Sequence, residues 1–256
     1  MTRPRNPKLR RAPLRVALCQ LRFPIRLGFG DLDVRPIQDE ISSRYPRTDR
    51  EVQQLFQITP ERVEQMQTPE MVYRLRSEEG EWIVTMTSSF VTLETTKYSR
   101  FHEFLERWIE ILDTTTRHLG LERQERLGLR YVNELAVPEA ASVTSALQLV
   151  IRPELLGLIG AEPLIEEPIS SLQEFRFRHK SGMATLRHGL QRNDRDEAVY
   201  LVDIDVYDDA PRPLDREEQL SSLKQFNKTA YDLFRSSVTE EQFRSFEPEE
   251  EAQNAA

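Results

Sequence analysis

Residues 71–97 decide the fold: Met71–Ser77 (MVYRLRS), a Glu78-Glu79-Gly80 turn, Trp82–Ser88 (WIVTMTS) and Val91–Lys97 (VTLETTK). Thr, Val and aromatic residues dominate the three runs, as strands on a half-buried pleated surface require. A turn signal separates the first two. The stretch therefore predicts an antiparallel hairpin with a third strand beside it.

Downstream of it the period changes. Phe101, Phe104, Leu105, Trp108, Ile111, Leu112 and Leu119 recur at intervals of three and four and define one apolar helical face. Ser99 is the natural N-cap and Gly120 the natural terminator, so the spacing predicts a helix over 100–119. Glu125–Ala136 reads as the next strand and stops at Pro138.

The same order returns in the second half. Leu172–His179, the turn Lys180-Ser181-Gly182 and Met183–Arg192 read as a hairpin, and Tyr200–Tyr207 as a further strand. Val202, Ile204 and Val206 share one face of that strand; Leu201, Asp203, Asp205 and Tyr207 share the other. A long helix over about 215–236 follows, striped by Leu220, Leu223, Phe226, Ala230, Leu233 and Phe234. Thr239 and Gln242 form a capping box for a short last helix.

Working outward to the N-terminus, Leu14–Phe23 reads as the first strand, broken by Pro24 and Gly28-Phe29-Gly30. A short helix over about 34–44 follows, with Ile37 and Ile41 inward and Asp31 or Asp33 as cap. The expected fold class is α+β, with two antiparallel sheets, each a hairpin–strand–helix unit covered by its amphipathic helix. The expected organisation is a flexible basic arm (1–12), an N-terminal α+β half (13–138), a helix and Pro-rich link (139–171), a C-terminal α+β half (172–246) and an acidic tail (247–256).

The net charge of -8 argues against broad nucleic-acid binding, which needs a cationic surface to displace counterions. The charge is uneven, however. No acidic residue precedes Asp31, whereas Arg3, Arg5, Lys8, Arg10, Arg11, Arg15, Arg22 and Arg26 do. A nucleic-acid contact through this arm is one alternative function. Cys19 is the only cysteine, which excludes an internal disulfide and fits a reducing cytoplasm. No stretch approaches the ~18 continuous apolar residues of a membrane span.

The run Arg126-Leu127-Gly128-Leu129-Arg130-Tyr131-Val132-Asn133 is the most specific part of a wider pattern. The pattern also takes in Gln20-Leu21-Arg22-Phe23, Trp82-Ile83-Val84, Thr96-Lys97-Tyr98, Asp203-Ile204-Asp205-Val206 and the Phe226–Phe234 helix. Over about residues 12–246 the chain resembles a sporadically distributed, uncharacterised bacterial and archaeal family of similar length. The resemblance implies a soluble prokaryotic protein and no catalytic residues.

Among polar positions, Arg130, with five fixed donors, suits a carboxylate or phosphate; its plainer role is an ion pair with a neighbouring strand, through Asp203 or Glu94. Asn133 falls on the opposite face of that strand. Asp203 and Asp205, two apart on one strand, could hold a hard divalent cation or act in acid–base work, with Glu94 and Lys97 as the only motivated additions. His102, His118, His179 and His188 show no metal-ligand spacing, although His179 and His188 flank a hairpin and could face each other. No nucleophile elbow, phosphate loop or dinucleotide motif is present.

These residues predict a binding or interaction protein rather than an enzyme, an antitoxin-like or accessory partner of another protein whose acidic balance suits a basic partner. No cofactor or metal is expected. The alternative is a metal-dependent hydrolase or nuclease using Asp203 and Asp205.

Overall fold

The computed structural model describes residues 9–53, 56–59, 62–65, 70–160, 168–180 and 182–248. In chain order the elements are β1 (Leu14–Arg22), α1 (Asp31–Ile41), β2 (Arg47–Gln53), β3 (Phe56–Thr59), β4 (Arg62–Gln65), β5 (Glu70–Arg76), β6 (Trp82–Met86) and β7 (Phe90–Thr95). There follow α2 (Phe101–Leu119), β8 (Arg123–Gln124), β9 (Arg126–Ala136), α3 (Val143–Val150) and α4 (Pro153–Leu156). The chain continues with β10 (Gln173–His179), β11 (Gly182–Arg192), β12 (Ala198–Asp208), β13 (Arg212–Pro213), α5 (Arg216–Ser237) and α6 (Glu240–Ser245). The basic arm expected at 1–12 and the acidic tail expected at 247–256 lie outside the described residues except for 9–12 and 247–248, as does Ser181 of the second hairpin.

The protein is α+β, as expected, and its registered strand pairs are antiparallel. Nine strands follow one hydrogen-bonded order, β10-β11-β12-β9-β1-β7-β6-β5-β2, in place of two separate sheets. Two further pairs, β13-β8 and β3-β4, stand apart from it. The chain divides into two compact units, one of residues 1–17, 129–207 and 220–256, the other of residues 18–128 and 208–219.

The second of these units contains residues 71–97. β5 pairs with β6 and β6 with β7, and Val84, Met86, Val91 and Leu93 are buried. α2 lays the expected face inward, with Phe104, Trp108, Ile111 and Leu112 almost without exposure. Trp82 on β6 meets Phe104 on α2 at 6.0 Å between ring centroids. The N-cap is Arg100, one residue later than expected, because the Ser99 hydroxyl turns to the Glu103 carboxylate. Gly120 ends the helix at φ 58°, a left-handed turn that a Cβ would strain. α1 begins three residues earlier than the spacing predicts: Gly30 is the N-cap, and Asp33 reaches back to accept from its N–H at 3.0 Å. β2 carries no strand signal in the sequence, because its residues are mostly charged; it forms because β5 offers it a full ladder.

α1 and α2 are joined by one carboxylate. Glu40 accepts from Thr114 Oγ1 at 2.9 Å and from Arg117 at 3.1 Å, and lies 2.8 Å from His118 Nε2.

In the other unit, β10–β11–β12 form the hairpin and third strand. α5 faces inward through Leu223, Phe226, Ala230 and Phe234. It reaches β9 where the Tyr131 hydroxyl donates to Asn227 at 2.9 Å, and β10 where Thr229 Oγ1 lies 3.3 Å from His179 Nδ1. α3 starts at an N-cap Ser142 whose hydroxyl accepts from Ser145 N, and Thr239 accepts from Gln242 N at the head of α6. The described ends of the chain meet: Leu9 bridges Pro248, and Arg11 Nε lies 3.0 Å from a Glu247 carboxylate oxygen.

Two outcomes test this packing. A methyl group built on Gly189 of β11 would lie 2.0 Å from the Ser171 carbonyl oxygen, so Gly189→Ala should destabilise by about 1–3 kcal/mol in urea unfolding. The hydrogen bond to His118, then that to Thr114 and the charge of Arg117, hold the Glu40 carboxyl below its ordinary range in the fold. A depressed carboxylate stabilises above its unfolded pKa, and that contribution is lost as pH falls through the folded one. The gap in melting temperature between wild type and Glu40→Gln should therefore be full near neutrality and close in acid.

Candidate functional site

Asp203 sits at the centre of the polar face built by β9, β12, β11 and β10. Its side chain is only 2% exposed. Arg130 on β9 donates from Nε to Oδ1 and from Nη2 to Oδ2, both at 2.7 Å, a two-pronged fork. Arg187, the registered neighbour of Asp203 on β11, places Nη1 3.6 Å from Oδ2, and its Nε donates to Glu174 on β10 at 2.6 Å. The chain Arg130–Asp203–Arg187–Glu174 ties four strands together by charge. Asp203 is one of the two partners that the sequence named for Arg130.

The remaining sequence candidates are placed as follows. Asn133 is buried and donates to the Val202 carbonyl at 3.1 Å, which ties β9 to β12. Asp205 is half-buried on β12 opposite Thr185. Glu94 and Lys97 belong to the other unit. Glu94 is half-buried on β7 opposite Ile83, and Lys97 lies 3.0 Å from Glu81, whose hydrogen bond and charge raise the Lys97 pKa. Among the described residues no group of three or more His, Cys, Asp and Glu side chains is arranged to hold a metal ion.

His179 and His188 do not face each other. The register sets His188 against Gln173 and His179 against Gly182. His188 is fully buried, stacked 5.7 Å from Phe175, with Nδ1 2.7 Å from the Tyr200 hydroxyl; burial pushes its pKa down and favours the neutral ring. The Cys19 thiol is buried, and its pKa is pushed well above the ordinary range by that burial, the reverse of what a nucleophile needs.

A different feature escaped the sequence reading. The segment between β1 and α1 carries Ile25 and Leu27, and the first turn of α1 carries Leu32; they are 68%, 92% and 87% exposed. This stretch is pinned at both ends. Phe23 N donates to Ser89 O at 2.9 Å and Arg26 N to Ser88 O at 2.8 Å. At the far end Phe29 packs edge-on against Tyr73 at 5.8 Å, and Asp31 accepts from the Tyr73 hydroxyl at 2.7 Å and from Arg50 at 2.6 Å. The Tyr73 pKa is pushed up to about 12, first by burial and then by that hydrogen bond. The sequence showed only Pro and Gly breakers here; nothing in the spacing says which aliphatic side chains point to water.

No described helix is long and apolar enough to cross a membrane. No protein-family model, curated protein or solved structure matches the chain.

Removing Arg130 leaves the Asp203 carboxylate buried beside a more distant guanidinium. Arg130→Ala should therefore cost about 1–3 kcal/mol in urea unfolding, whereas the paired change Arg130→Leu with Asp203→Leu should recover most of that loss.

Proposed function

We propose that this chain is a non-enzymatic interaction protein, an antitoxin-like or accessory partner of another protein, and that the segment between β1 and α1, together with the first turn of α1, is its contact. The observation that carries the reading is the high exposure of Ile25, Leu27 and Leu32 on a stretch held at one end by backbone hydrogen bonds to Ser88 and Ser89 and at the other by the side-chain contacts of Phe29 and Asp31. Large aliphatic side chains held out in water on ordered backbone are the usual anchors of a protein contact, since little ordering entropy is lost when they are covered. The net charge of -8 favours a basic partner by complementarity and faster encounter. The resemblance to an uncharacterised prokaryotic family without assigned catalytic residues agrees with this reading, as does the occupation of Asp203 by the Arg130 fork.

The test is retention of a partner from an extract of the source cells on the immobilised chain, followed by titration of the purified pair. Leu27→Asp combined with Leu32→Asp should weaken that affinity at least tenfold, about 1.4 kcal/mol, with the melting temperature unchanged. Equal affinity in wild type and variant rejects the contact, and failure to retain any saturable partner rejects the function.

A further inference from the structure

β10 ends the strand order, and among the described residues its registered pairing is with β11. One hydrogen bond shows which way its backbone groups point. Ser171 N donates to Leu190 O at 2.9 Å, in continuation of the β10–β11 register. In an antiparallel ladder bonded and unbonded positions alternate. Gln173, Phe175, Phe177 and His179 therefore direct their N–H and C=O groups at β11, and Glu174, Arg176 and Arg178 direct theirs to the sheet edge. A row of outward backbone donors and acceptors is a template for another strand.

The side chains say which strand fits. The β10 sequence, QEFRFRH, is its own complement when run antiparallel about Phe175. In that register Glu174 of each copy stands opposite Arg176 of the other, twice by symmetry. These are edge-directed positions, so each pair exchanges backbone hydrogen bonds as well as opposite charge. Phe175 stands opposite Phe175 at an unbonded position, where facing side chains come closest. Adjacent registers are rejected by charge: centring on Arg176 sets that residue against itself, and centring on Phe177 sets Arg176 against Arg178.

In the single chain both charged groups lean inward, away from the edge: Arg187 holds the Glu174 carboxylate at 2.6 Å and Arg176 lies 5.7 Å over the Tyr207 ring, so pairing requires each to turn outward; His188 backs Phe175, which is 49% exposed. We infer that β10 is a homotypic interface: two copies of this chain pair β10 to β10, antiparallel and two-fold, centred on Phe175. This goes beyond the heterologous contact proposed above and uses a different surface.

Light scattering on the full chain over a concentration series tests it. The mass should rise from 30.0 kDa toward twice that value. Glu174→Arg and Arg176→Glu, each alone, oppose like charges and should weaken association at least tenfold. An equimolar mixture of the two variants opposes only unlike charges and should restore it, which no folding defect in either variant can mimic. A wild type that stays at 30.0 kDa up to millimolar concentration overturns the proposal. So does undiminished association of both single variants, or a mixture no better than its components. Partner capture sensitive to Leu27→Asp is read independently, so the two proposals fail separately.

Discussion

A carboxylate withdrawn from water must be met by donors, and at Asp203 that requirement shapes a whole sheet face. Burying a lone charge costs far more than any single contact returns, so β12 can place Asp203 inside only if β9 delivers Arg130 to it. The fork sets the separation and register of the two strands at that point. Arg187 and Glu174 carry the alternation of charge outward to β10. On the other side of β9, Asn133 secures the same neighbour through the Val202 carbonyl. The polar residues of this region thus act first as cross-strand ties. Asp203 is spent in neutralising arginines and is poorly placed to bind a cation or move a proton.

The two ends of the strand order handle exposed backbone differently. β2 has four charged residues among its seven, and its acids are engaged by β5: Arg74 with Glu51 and Arg76 with Asp49. Charge on an edge strand discourages further pairing. β10 alternates Phe with charge instead, and its charges alternate in sign only at Glu174 and Arg176 before the two arginines 176 and 178 follow. Such an edge rejects most registers and accepts few, which is the condition for specific rather than indiscriminate pairing.

Much of the architecture was legible beforehand. The period-two runs of β5, β6, β7, β11 and β12 and the three-four spacing of α2 and α5 are imposed by one-sided burial, which leaves its mark on sequence. β2 was not legible, since an edge strand with both faces near water needs no apolar alternation. The start of α1 was missed because its cap is a glycine served by Asp33 from within the helix. The facing of His179 and His188 failed on register, which a hairpin's turn and bulges decide. Of the site candidates, Arg130 and Asp203 could be suspected as a pair from their strands. The exposed aliphatic residues Ile25, Leu27 and Leu32 left no signal, because hydrophobic identity says nothing about solvent contact.

By itself the sequence determined the α+β class, the paired hairpin–strand–helix order and the helix termini at Gly120 and Thr239, because these depend on local periodicity and backbone preference. Only the tertiary structure decided that nine strands follow one order, that Arg130 closes on Asp203, and that Leu27 and Phe175 meet water. Those outcomes depend on which distant segments become neighbours, and the free energy of desolvation and pairing that selects them is a property of the assembled chain.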